Sequence, residues 1–119
     1  MSKVEAVGWA TALEQELDAA RAAFVTGLVA LATGVQPKAI ATETRARKAV
    51  TARQIAIYLA STQFGWPLWR VGTAFGRDRT TAALACRRIE ERREDAAFDA
   101  FLSTLERCLR AAPEPRAYP

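Results

Sequence analysis

Phe75-Gly76-Arg77-Asp78-Arg79-Thr80-Thr81-Ala82-Ala83-Leu84-Ala85-Cys86-Arg87-Arg88-Ile89-Glu90 decides how this chain is read. A glycine turn feeds a segment whose first residues are charged or hydroxylic, with Asp78 standing where an N-cap is expected. Ala82, Ala85, Cys86 and Ile89 recur at three- and four-residue spacing, small or apolar enough to pack this helix closely onto the one before it. The other face carries Arg79, Thr80, Thr81, Leu84, Arg87 and Arg88. Hydroxyls and a guanidinium in a first helical turn reach base edges or phosphates in a major groove, and unsatisfied N–H groups there favour a phosphate. Helix pairs joined by a glycine turn also occur in proteins that bind no DNA, so spacing alone leaves both readings open.

Upstream, Leu68 to Phe75 reads as a short helix with Val71 and Phe75 inward. A helix from about Thr51 to Phe64 precedes it, with Ile55, Leu59 and Ala60 or Thr62 inward, and Gly65-Trp66-Pro67 stops it. Ala41 to Thr51 is polar and basic without apolar periodicity and reads as a loop carrying Arg45, Arg47 and Lys48. Arginines on such an arm suit an adjacent minor groove, whose potential is most negative where it is narrow.

The first helix is expected from Val4 or Thr11 to Thr33, ended by Gly34 with Pro37 soon after. Its stripe of Leu13, Leu17, Phe24, Leu28 and Leu31, with Glu14, Glu16 and Asp18 between, suits either a core face or a dimer seam; Trp9 is expected to cover the core. A last helix from Ala96 to Ala111 turns Phe98, Phe101 or Leu102, Leu105 and Leu109 inward, and Ala112 to Pro119 reads as a frayed tail. The expected fold is all-α, a compact helical domain containing a helix-turn-helix. Residues 1–29 form an N-terminal extension for oligomerisation or partner contact, 30–111 the DNA-binding domain and 112–119 the tail.

Charge sharpens this reading. The formal net charge is +4, but Arg45 to Arg93 holds eleven Lys or Arg against Asp78, Glu90 and Glu91, a local balance of +8 that leaves −4 elsewhere. Such segregation is the footprint of a polyanion binder. The chain has no histidine, no phosphate-cradling glycine loop and no catalytic constellation, so neither an enzyme nor a cofactor or metal site is expected. The longest apolar run, Ala22 to Ala32, is about half of what a membrane span needs. With no secretory pattern, and with Cys86 and Cys108 reading as buried thiols, a cytoplasmic, nucleoid-associated protein is expected.

The same residues resemble the C-terminal DNA-binding domain of the bacterial replication initiator DnaA. The resemblance spans roughly Ala30 to Leu109. It is carried by Arg45-Ala46-Arg47-Lys48, Ala52-Arg53-Gln54-Ile55-Ala56-Ile57-Tyr58-Leu59-Ala60, Val71-Gly72-Thr73-Ala74-Phe75-Gly76, Arg77-Asp78-Arg79-Thr80-Thr81 and Ala85-Cys86-Arg87-Arg88-Ile89-Glu90. It implies that Arg45 enters the minor groove and that Arg53 holds phosphate at a helix N-terminus. Asp78, Arg79, Thr80 and Thr81 would form the signature turn on bases and backbone, with Arg88 a later basic contact. Arg47, Lys48 and Arg77 complete the expected DNA-binding set, with Trp69 and Leu84.

Several positions depart from the family pattern. Gly76 stands alone where two glycines are usual, and Arg79 replaces a histidine. Leu84 stands where a polar residue is common, Trp69 where a proline often touches a thymine methyl, and Thr51 and Ala52 replace the usual Arg-Pro or Pro. A base contact is worth about 1–3 kcal/mol, so DNA binding is expected to survive while the preferred site need not be the standard DnaA box. These 119 residues hold no ATPase segment, and a free-standing domain of this kind is similar to small alphaproteobacterial activators of gene-transfer-agent clusters. The expected function is sequence-specific duplex-DNA binding in transcription, as an activator working with RNA polymerase or a second activator protein, with homodimerisation through the first helix. The alternatives are a replication regulator competing for DnaA boxes and a helical interaction module docking through Trp66, Trp69 and Leu84.

Overall fold

A computed structural model of the chain describes residues 3–42 and 44–112, with side chains from residue 12 onward. Its helices run in the order α1 (Lys3–Thr33), α2 (Pro37–Ala41), α3 (Arg47–Phe64), α4 (Leu68–Phe75), α5 (Arg79–Arg92) and α6 (Ala96–Ala111). Among the described residues there is no strand, and no helix is long and apolar enough to cross a membrane. The all-α fold expected from the sequence is the fold found.

Helix α3 is the axis of the domain. Ile55, Ala56, Ile57, Tyr58, Leu59 and Ala60 are consecutive and all buried, which a helix achieves only when neighbours cover it on every side. One cluster joins Ile55 and Leu59 to Val25 and Val29 of α1, Ile40 of α2, Ile89 of α5 and Leu102, Leu105 and Leu109 of α6. A second, beneath the helix-turn-helix, joins Ile57 and Ala60 to Trp66, Val71, Ala82 and Ala85. Trp66 is therefore core, packed 5.0 Å from the Phe64 ring centroid, and cannot belong to the docking patch that the interaction-module reading requires.

The structure corrects three sequence expectations. First, the segment from residue 41 to 51 is not all loop. Pro37 starts α2, being pre-set for a first helical turn, and α3 begins at Arg47. Arg47 and Lys48 thus sit on the first turn of α3, and only Arg45 remains on the connecting arm.

Second, the core-face reading of the α1 stripe holds only for Leu28, which packs against the core. Ala22, Val25, Val29 and Ala30 are buried, whereas Leu13, Phe24 and Leu31 stand in solvent. The reason is tertiary. The side facing α3 meets bulky Ile55 and Leu59 and takes small residues, while buried Asp18 is held in a bidentate pair by Arg70 of α4, Nε to Oδ2 at 2.7 Å and Nη2 to Oδ1 at 2.9 Å. That pair raises the Arg70 pKa and fixes the helix's rotation. The boundary expected between residues 29 and 30 falls inside this continuous helix, where Val29 and Ala30 enter the same core.

Third, Cys108 is exposed on α6, since its neighbours Leu105 and Leu109 take the inward face. Cys86 is half-buried, and burial pushes its thiol pKa up. The expectations for Trp9 and for the tail 113–119 lie outside the described side chains and residues.

Candidate nucleic-acid interface

The turn between α4 and α5 is built by close backbone approach. Gly76 ends α4 at φ 66°, the left-handed region that a side chain disfavours. The next N–H, of Arg77, donates to the Gly72 carbonyl at 2.7 Å. A Cβ on Gly72 would lie 2.7 Å from the Arg77 carbonyl oxygen, so only glycine allows α4 to come this near the turn.

Asp78 then starts α5. Its Oδ1 accepts the Thr81 backbone N–H at 2.7 Å, the N-cap geometry expected from the sequence, and that bond holds its carboxyl below the usual range. Asp78 thereby acts on the helix terminus, turning its carboxylate to the Thr81 amide. Beyond it, Arg79, Thr80, Thr81, Leu84, Arg87 and Arg88 are all exposed, while Ala82, Ala85 and Ile89 are buried. At 100° per residue Thr80, Thr81, Leu84, Arg87 and Arg88 form one outward stripe. Arg87, absent from the DNA-binding set expected from the sequence, shares it, and Glu91 follows on the same stripe and ends the basic surface.

On α4 Trp69 is 63% exposed, and Leu84 within the α5 stripe is 38% exposed. Large apolar groups are costly to leave in water, and Leu84 lies between hydroxyls and cations of its own helix instead of other apolar residues. Thr73, one turn after Trp69, is also exposed, its hydroxyl donating to the Trp69 carbonyl at 2.8 Å.

The arm is tied to the same face. Arg77 Nη2 donates to the Thr42 carbonyl at 2.8 Å, linking the turn to the segment before α3. Arg53 donates from Nε to the Ile40 carbonyl at 2.7 Å and from Nη2 to the Ala39, Thr42 and Thr44 carbonyls. These oxygens belong to the C-terminal end of α2 and the start of the arm, where a cation satisfies otherwise unpaired acceptors. Arg53, the residue that the family resemblance assigns to a phosphate, therefore latches the arm through Nε and Nη2. Arg45, Arg47 and Lys48 stand exposed next to the latch, and the first turn of α3 has no side-chain cap and no acid.

The structure also sorts the central positive charge. Arg70 is paired with Asp18, and Arg93 with Asp99 and Glu106 at 2.6 and 3.0 Å, carboxylates that hold its guanidinium charged far above any working pH. Arg93 also donates to the Tyr58 hydroxyl at 3.2 Å, which in turn donates to Glu90 at 2.6 Å, anchoring the rear of α5 to α3 and α6. Burial raises the Tyr58 pKa, keeping that hydroxyl a donor. Arg92 covers the Phe98 ring at 4.1 Å. Arg45, Arg47, Lys48, Arg79, Arg87 and Arg88 have no ion-pair partner among the described residues and are exposed. Those six, with Arg92, are the exposed cations of the central half left without a carboxylate among the described residues.

A glycine turn, a capped second helix with an outward stripe of hydroxyls and cations, and exposed Arg45, Arg47 and Lys48 beside an arm tied to that turn define a helix-turn-helix DNA-binding domain. Residues 23–89 match the family model described as the bacterial dnaA protein helix-turn-helix, more than half of the chain, and the protein belongs to that family. No curated protein matches the chain.

Proposed function

We propose that this protein is a sequence-specific duplex-DNA-binding transcription regulator, non-enzymatic and cytoplasmic, acting as an activator with RNA polymerase or a second activator protein. The observation that carries the reading is the α5 stripe, where Thr80, Thr81, Leu84, Arg87 and Arg88 face outward, with Arg79 exposed in the first turn of a helix whose start is fixed by Asp78. In this reading Thr80, Thr81 and Arg79 meet bases and backbone at the groove edge, and Arg88 extends the contact two turns on. Trp69 and Leu84 supply apolar surface for thymine methyl groups. Arg45 enters the neighbouring minor groove, and Arg47 and Lys48 hold phosphate at the uncapped start of α3. Arg53 and Arg77 act through the arm they hold.

A replication regulator competing for DnaA boxes is the second reading, favoured by the retained Arg77-Asp78-x-Thr80-Thr81 run. Replacement of the usual histidine by Arg79 and of a proline by Trp69 favours a different preferred sequence. Sequencing genomic fragments retained by the purified protein at physiological salt separates the two. One enriched motif upstream of a gene cluster supports the regulator, a gene-transfer-agent cluster its narrower form, and enrichment of DnaA boxes at the replication origin supports the competitor. Absence of any enrichment with folded protein overturns direct sequence readout.

A further inference from the structure

On α1, the exposed side chains Leu13, Phe24 and Leu31 (42, 53 and 87% exposed) fall on one line with Leu17, Ala20 and Gly27. Positions 13, 17, 20, 24, 27 and 31 step alternately by four and three, the seam of a coiled coil. At 100° per residue the line lies on the side of α1 opposite Ala22, Val25 and Val29, which are buried in the domain's own core. The seam therefore points away from the body, and α5 packs elsewhere, on α3 and α4.

We propose that a second copy of this chain covers this face, in an antiparallel helix pair whose two-fold axis crosses the seam midway between Ala20 and Phe24. A two-fold interface must be complementary to itself, and the sizes along the seam mirror about that point. Leu17 lies opposite the partner's Gly27, Phe24 opposite the partner's Ala20, and Leu13 opposite the partner's Leu31. Each central layer thus joins one large and one small side chain, and the end layers join two leucines. A parallel pairing in register would stack Phe24 on its own copy and leave gaps at Ala20 and Gly27, against the uniform density that apolar interfaces keep. Space is open at Gly27, where no non-neighbouring atom lies within 4 Å of the position a Cβ would take. No charged residue lies on the seam. Arg21, beside the axis, is drawn back to its own Asp18 at 3.8 Å, which offsets the approach of the two guanidiniums. A seam shaped for a different protein has no reason to mirror its own sizes.

Sedimentation equilibrium of the full chain without DNA tests this, and its failure would leave the DNA reading untouched. A monomer–dimer equilibrium is expected, with Phe24→Glu weakening it at least about tenfold while circular dichroism stays unchanged. Orientation is read by oxidation in a Cys108→Ser background, which removes the exposed thiol. Leu13→Cys with Leu31→Cys is expected to form a disulfide-linked dimer, and Leu13→Cys alone is not. A monomer at about 100 μM, a dimer indifferent to Phe24→Glu, or efficient cross-linking of Leu13→Cys alone overturns the proposal.

Discussion

The α4–α5 surface and the outer face of α1 both hold large apolar side chains in water, yet they differ in everything around them. Leu84 shares its face with Thr80, Thr81, Arg87 and Arg88, and Trp69 stands on the helix packed against α5, while Leu13, Phe24 and Leu31 share their line with alanine and glycine, and the nearest charges include Glu14 and Glu16. A polyanion with apolar methyl groups suits the first setting, and another apolar helix suits the second. Exposure by itself does not name a partner. The donors, cations and small residues beside the exposed group do.

The difference breaks if variants on one face change the readout of the other. The largest separation is expected from Arg79→Ala with Thr81→Ala. Loss of two contacts at about 1–3 kcal/mol each lowers affinity for the preferred duplex about 100-fold, with far less change on scrambled duplex and none in sedimentation. Fluorescence anisotropy on both duplexes measures it, and equal loss on the two would remove base readout from α5.

Gly72→Ala tests whether the turn, rather than the side chains alone, makes the α4–α5 surface. Its Cβ meets the Arg77 carbonyl oxygen, a backbone atom that moves only with the turn. A stability loss of about 1–3 kcal/mol is expected in urea denaturation, accompanied by weaker selective binding even at temperatures where the domain remains folded. Full selectivity in a folded variant would show that the turn tolerates the shift.

Lys48→Ala removes one exposed cation beside the arm and is expected to weaken binding to every duplex alike. The slope of log affinity against log salt should fall by about 0.9, and an unchanged slope would take Lys48 off the phosphate path. Smallest is the acid dependence of the α5 cap. The Asp78 carboxyl is held low by the Thr81 N–H, so its contribution is present above the unfolded carboxylate value of about 3.9 and is lost as pH falls through the lower folded value. Urea midpoints of the native protein and Asp78→Ala should differ at about pH 6 and converge near the acid end. Parallel curves would mean that the cap does not titrate with folding.

Local chemistry is legible in the order of the amino acids alone. The glycine turn, the Asp78 cap, the outward hydroxyls and guanidinium of α5 and the stops at Gly34 and Gly65 each depend on a few neighbouring residues, and the helix boundaries around them agree with the structure. Inward faces of α5 and α6 are legible for the same reason, since each packs one clear stripe. What depends on distant partners is not. The rotation of α1 is decided by Asp18 meeting Arg70, 52 residues away, and by the bulk of α3 beneath it, so Leu13, Phe24 and Leu31 end outside while Val25, Val29 and Leu28 join the core. Whether an arginine faces DNA or the protein's own carbonyls and carboxylates is decided likewise, because a guanidinium goes wherever the fold leaves acceptors unsatisfied. Arg53, Arg77 and Arg93 are occupied that way, whereas Arg45, Arg79 and Arg88 stand exposed without an ion-pair partner among the described residues, and nothing within a few residues of any of them tells the two groups apart.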